Sequence, residues 1–316
     1  MVRKFLALLW KMPLASLGFA VALTLGGAML PALGLEAPPL PEGADSQTLG
    51  MVFIFGSLLF GLALALLAED LAGSYLVRWL ALSLLMWVAY AVNNVIEGAI
   101  FSTFGVVSSP QAMLFTALSL LLPTLTICAV IAALFRPQTR GESFSKGLAT
   151  FTAQFDRAGW AWRLILALLA FPVIYLTFGW MVEPLIRDFY AQGAFGLALP
   201  TWGVILPIQF VRSLLFLLVS LPVIVLWRGS RLKLALALGL ALFVFVGGFS
   251  MLTTYWFSWP LRVFHSLEIL ADELLYAAAL VLLFTRPIGP ETARNDLSRS
   301  SVGDHKGHRE VHLRLK

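Results

Sequence analysis

Apolar runs about as long as a hydrocarbon core is thick, roughly 20 residues each, recur along the chain between short polar segments. They cover residues 13–34, 50–68, 75–99, 111–135, 161–182, 203–227, 234–256 and 259–285, each boundary being approximate. Hydrophobicity sustained over this length predicts membrane-spanning helices, because a helix satisfies its own backbone hydrogen bonds in lipid. The expected fold is all-α: a polytopic membrane helix bundle of about eight transmembrane spans, forming a single transmembrane domain over 1–286. A tail at 287–316, with Pro, Gly, Ser and mixed charges and little apolar content, is expected to be disordered and cytoplasmic.

The polar segments set the orientation. With the N-terminus inside, 19 of the 22 Lys and Arg residues fall on the cytoplasmic side, among them Lys11, Arg78, Arg163, Arg228 and Arg286. Arg187, Arg212 and Arg262 are the remaining three. That bias predicts both termini in the cytoplasm and a plasma (inner) membrane location. Arg3 and Lys4 followed by an apolar run also suit a signal peptide, and Ala32-Leu33-Gly34 is loosely like a cleavage site. The run after Lys11 is longer than a typical signal core, which favours a retained span; cleavage would leave seven spans with the N-terminus outside.

Between the runs, residues 35–49 carry Pro38, Pro39 and Pro41 with Glu36, Glu42 and Asp45, and read as an irregular outer linker. In the inner segment, Phe144, Leu148, Phe151 and Phe155 recur at helical spacing. They predict an interfacial helix over about 143–157, with Trp160 and Trp162 behind it. A stretch at 184–192, opening at Pro184, is expected to lie flat or re-enter the membrane.

Composition narrows the function classes. The chain is 59% hydrophobic and 12% charged, with a mean hydropathy of +0.88. A soluble domain needs about a quarter charged residues. The net charge of +5 does not imply nucleic acid as a partner, since the basic residues lie on one side of the spans and no phosphate-cradling GxxxxGKS or GxxxxGKT loop occurs. The single cysteine, Cys128, excludes a disulfide framework. The halves share no polar pattern, so an inverted-repeat transporter is not indicated.

Ionisable residues inside spans are costly and mark candidate sites. Counting about 1.5 Å per residue from Arg78, Arg228 and Arg286 puts Glu97 near 28 Å, Glu268 near 27 Å, Arg212 near 24 Å, Asn93 near 22 Å, Asp272 near 21 Å and Glu273 near 20 Å. These share one layer in the outer third. In the last span, Arg262, His265, Glu268, Asp272 and Tyr276 fall on one face behind an expected Ser258 cap. In the third, Tyr90, Asn93, Asn94 and Glu97 do the same. The candidate cavity residues are therefore Arg212, Glu97, Asp272, His265, Glu268, Asn93, Asn94 and Tyr276, with Arg212 expected to pair with Glu97 or Asp272. Ser250 and Thr254 are expected to bond back to their own helix.

No motif assigns a catalytic residue, a metal or a cofactor. HExxH is absent, and a single His near the spans does not make a haem pair. The favoured reading is transport or binding of a small polar or anionic solute. Two alternatives stand beside it: a non-catalytic subunit or assembly protein of a membrane complex, and an enzyme acting on a lipid or lipid-linked substrate at the outer leaflet. The expected partners are the bilayer, a small ligand and a membrane protein, with no nucleic acid.

Overall fold

The computed structural model describes residues 2–41, 43–101, 109–137 and 143–285, and the side chains from Leu8 onward within these ranges. The expected tail at 287–316 lies outside them. The chain divides into two units, Met1–Leu283 and Phe284–Lys316, and the first contains the helix bundle.

Twelve α-helices are described: α1 Val2–Ala32, α2 Ser46–Ala68, α3 Tyr75–Met86, α4 Asn93–Phe101, α5 Pro110–Ser119, α6 Leu121–Leu134, α7 Phe144–Thr152, α8 Arg157–Ala191, α9 Trp202–Leu226, α10 Arg231–Phe243, α11 Phe249–Thr253 and α12 Trp259–Phe284. Among the described residues there is no strand, only an isolated antiparallel bridge between Leu71 and Trp227. Helices α3 and α4 are joined through a π-turn, Trp87–Val92, and α10 and α11 through another, Val244–Gly248. Seven stretches are long and apolar enough to cross a membrane: residues 8–32, 46–68, 75–101, 110–134, 157–191, 202–226 and 231–253. The 26-residue α12 is long enough too, but carries Arg262, Glu268, Asp272 and Glu273.

Local chemistry explains the helix starts. Asp45, Ser74, Ser109, Ser143, Asp156 and Ser230 each accept a hydrogen bond from a backbone N–H in the first turn, satisfying a donor the helix leaves open. The Asp45 cap starts α2 four residues ahead of the apolar run's expected beginning at 50. Ser258 departs from expectation: α12 does begin after it, yet its buried hydroxyl has no hydrogen-bond partner.

Basic side chains close helix C-termini at one end of the bundle. Lys11 donates to Leu134 O at 2.7 Å, Arg163 to Leu283 O at 2.9 Å and Arg231 to Val281 O at 3.4 Å. Arg78 donates to Ala68 O and Ala132 O, both at 3.1 Å, and to Phe135 O. Cations there meet the negative end of the helix dipole. Arg78 stands at this end among the carbonyls it binds and is 3% exposed. The opposite end gathers Asp45 with Tyr255, Phe101 O with the Ala198 N–H, and Met251 O with Arg262. Successive long segments therefore alternate in direction.

Between the ends the packing is aromatic. Phe60 stacks on Phe249 at 4.1 Å and meets Tyr90 at 4.9 Å, joining α2, α11 and the first π-turn. Such pairs contribute about 0.5–1.5 kcal/mol each beyond area burial, which matters where lipid supplies no hydrophobic drive between helices. Outward faces stay apolar: Trp180 is 82% exposed and Val173 60% on α8, as a lipid-facing helix requires.

Two expected elements differ. Residues 184–191 neither lie flat nor re-enter; they continue α8, with Pro172 and Pro184 inside an unbroken 35-residue helix. The helix expected over 143–157 ends at Thr152, because Asp156 caps the next one, and Phe155 sits in the turn under the Arg163 guanidinium at 3.6 Å.

Candidate functional site

Near the Asp45–Tyr255 end the helices part around a cavity of about 700 Å³. Its polar wall comes from three sequence-distant elements. Helix α4 contributes Asn94 and Glu97, α9 contributes Arg212, and α12 contributes His265, Glu268, Asp272 and Glu273. Aromatic side chains, including Phe53, Tyr90, Phe171, Tyr175, Tyr190 and Trp256, line much of the rest. Residues 37–41, with their three prolines, run along its rim. Tyr90 and Val246 belong to the two π-turns, so both helix irregularities open onto the cavity. Such turns re-aim side chains and occur often at functional sites.

Arg212 is 3% exposed and every branch of its guanidinium is engaged. Its Nε donates to Asn93 Oδ1 at 2.9 Å, one terminal nitrogen to Gln209 Oε1 at 3.0 Å, and the other pairs with Glu97 Oε1 at 2.6 Å. Phe171 and Tyr175 lie 5.1 and 5.5 Å from it, adding cation–π contact. A buried arginine held this way is the planar-fork geometry that lysine does not provide.

A second chain runs along the α8–α12 contact. Tyr190 Oη lies 3.1 Å from His265 Nε2, and His265 Nδ1 lies 2.9 Å from Glu268 Oε2. An Nδ1–H donating to Glu268 with Nε2 accepting from the tyrosine satisfies both ring nitrogens in a neutral imidazole. Gly179 on α8 makes room for this arrangement, since a Cβ there would come within 3.2 Å of Glu268 Oε1.

Six of the eight candidate residues line the cavity: Arg212, Glu97, Asp272, His265, Glu268 and Asn94. Asn93 and Tyr276 do not. Asn93 is turned onto Arg212, and Tyr276 is fully buried with its hydroxyl donating to Ser213 O at 3.1 Å. The candidate set omits Glu273, Gln209, Tyr175 and Tyr190. Glu273 shares the layer by depth but lies about 100° around the helix from Asp272, off the polar stripe, and the stripe decided the set. The tyrosines carry no signal, being ordinary residues of apolar helices. Ser250 also differs from expectation: its hydroxyl donates across to Asn94 Oδ1 at 3.1 Å, and only Thr254 bonds back to its own helix.

Among the described residues no group of three or more His, Cys, Asp or Glu is arranged to hold a metal ion. The arrangement can bind a solute through charge and hydrogen bonds on one wall and aromatic surface on the others. Compared with family models, with curated proteins and with solved structures, the chain matches none.

Proposed function

We propose that this is a membrane protein of eight spans, α12 being the eighth, with both termini cytoplasmic in the plasma (inner) membrane. In this reading it binds a small polar solute in the cavity and carries it toward or across the bilayer. The observation that supports it is a cavity of about 700 Å³ with ionisable groups on one wall, at the end of the bundle away from the basic helix caps. Charge in a span is retained where it faces protein or water, and a cavity of this size suits one small ligand. Because Arg212 is already matched by Glu97, capture of an anion requires Arg212 to leave a partner it holds in the unliganded cavity, which favours a polar over an anionic solute.

Thermal shift across solutes, anions and lipids, run on the wild type beside Arg212→Ala, tests the reading. A ligand that raises the wild-type transition and leaves the variant's unchanged supports it. A wild type that answers to nothing in the panel ends it. Orientation is tested in the same protein with Cys128 replaced by Ala and single cysteines introduced at Asp45 or Ser230. Labelling from outside at position 45 alone is the expected result.

The Tyr190–His265–Glu268 chain favours a second reading, an enzyme acting on a lipid-linked substrate, because a relayed imidazole can serve as a general acid or base. Turnover that disappears in His265→Gln while the solute-induced shift persists would move the assignment there.

A further inference from the structure

Matching each carboxyl group around the cavity with a partner leaves two over. Four carboxylates line it: Glu97, Glu268, Asp272 and Glu273. The guanidinium of Arg212 is the one strong cation among the described lining residues, and it is paired with Glu97. Glu268 has His265, whose Nδ1 lies 2.9 Å from its Oε2. Asp272 and Glu273 are 2% and 1% exposed, and one oxygen of each, Oδ1 and Oε2, has no hydrogen-bond partner. Neighbouring carboxyl groups, buried and unanswered on a cavity wall, cost far more than solvated ones unless a positive charge joins them. A structural role is a poor explanation, since structural carboxylates in membrane helices find partners, as Glu97 does here.

We propose that Asp272 and Glu273 form the binding subsite for a cationic head, an organic ammonium whose apolar body rests against the aromatic wall. This inference rests on the reading of the cavity as a solute site and gives that solute its charge. The ammonium supplies the positive charge that a proton supplies in its absence, so a proton leaves to water as the cation enters. Other charged or titratable groups face the cavity from the first π-turn (Tyr90), α4 (Glu97), α9 (Arg212), α12 (His265 and Glu268) and α8 (Tyr175 and Tyr190). Arg212 and Glu97 neutralise each other, and Glu268 adds to the negative field. The aromatic surround favours a cation further, since ring faces attract ammonium groups. The absence of a three-ligand cluster among the described residues argues against a divalent metal as the occupant.

The experiment uses three probes of one skeleton, 2-phenylethylammonium, 2-phenylethanol and 3-phenylpropanoate, in equilibrium dialysis against the full chain in mild detergent. The ammonium is expected to bind the wild type at least about tenfold more tightly than either relative, equivalent to about 1.4 kcal/mol. Asp272→Asn and Glu273→Gln keep shape and remove charge, so each should weaken it by a similar factor and weaken the alcohol by far less. On the wild type alone, ammonium binding should fall as pH is lowered and protons compete, which needs no variant to fold. Equal binding of all three probes, tighter binding of the carboxylate, or ammonium binding unchanged in both variants overturns the cationic subsite and leaves the cavity reading standing. Binding of none of the three overturns the subsite, and the thermal-shift panel then decides the cavity reading separately.

Discussion

Arg212 of α9 and Glu97 of α4 are joined by a 2.6 Å ion pair in which the arginine side chain is 3% exposed and the glutamate 30%. Both line the cavity, the cation almost closed to solvent and its partner more open, so the pair links bundle packing to the site. The same guanidinium holds Asn93 and Gln209, so its loss strands acceptors on two helices.

Arg212→Met is accordingly expected to lower stability by about 3–5 kcal/mol, the usual cost of breaking a buried pair on one side. Adding Glu97→Gln should recover part of that loss, because the orphaned charge goes with it. Arg212→Lys should recover less, since one ammonium cannot present the planar fork. Reversible unfolding in mixed detergent micelles measures all three, and a double variant no more stable than Arg212→Met would show that the pair is not the coupling.

The Asp45 carboxylate caps α2 and reaches Tyr255. It lies outside the spans, and the Thr48 N–H holds its pKa below the ordinary 3.8, with Thr48's side chain and Tyr255 adding to the effect. A carboxylate depressed on folding adds stability above its unfolded value and loses it as pH falls through the folded one. Asp45→Ala should therefore lower the melting temperature by a constant amount between about pH 5 and 8, the gap closing below about pH 4. Melting curves across that range decide it; a gap that widens on acidification contradicts the cap.

Gly239 lets α10 and α12 approach, for a Cβ there would stand 2.9 Å from the Leu274 Cα. Backbone cannot swing aside as a side chain can, so Gly239→Ala should cost about 1–3 kcal/mol by overpacking. Gly27 has nothing within 4 Å of its Cβ position, and Gly27→Ala should stay within about 1 kcal/mol of the wild type. Equal melting temperatures for the two variants would contradict the close approach.

Arg78→Leu removes the donors to three carbonyls drawn from α2, α6 and the residue after α6. Charged hydrogen bonds of this kind are worth about 1.5–3 kcal/mol each. The variant should be less stable than Arg262→Leu, whose arginine donates to two carbonyls at the other end in more exposed surroundings. Faster amide hydrogen exchange over residues 131–137 in Arg78→Leu would report the loosened α6 end.

Much of the fold was legible in one dimension. Continuous apolar runs report how much of each helix meets lipid or core, so the long helices stand where the runs do. Helix caps and proline positions refined their ends less well: Asp45 moved a start by four residues, and Pro184, read as a break, sits inside α8. A proline within a helix removes one hydrogen bond, and Pro172 and Pro184 are carried by a helix long enough to keep its remaining ones. The candidate site was legible in part. Depth along each helix brought Glu97, Arg212 and Asp272 to one level, because rise per residue is fixed by helix geometry.

What the sequence by itself determined was therefore how far along each helix every charge sits, and that the apolar runs suit a bilayer. Which way each side chain turns, and what meets it there, was decided by tertiary structure. The two π-turns shift the helical phase before Asn93 and before α11, putting Asn93 on Arg212 and Ser250 on Asn94. Helix packing then gave Arg212 to Glu97, sent Tyr276 to the Ser213 carbonyl, and left Asp272 and Glu273 facing a cavity, each with an oxygen that has no hydrogen-bond partner. Partner choice depends on the crossing of three sequence-distant helices, a three-dimensional quantity that spacing along one chain does not contain.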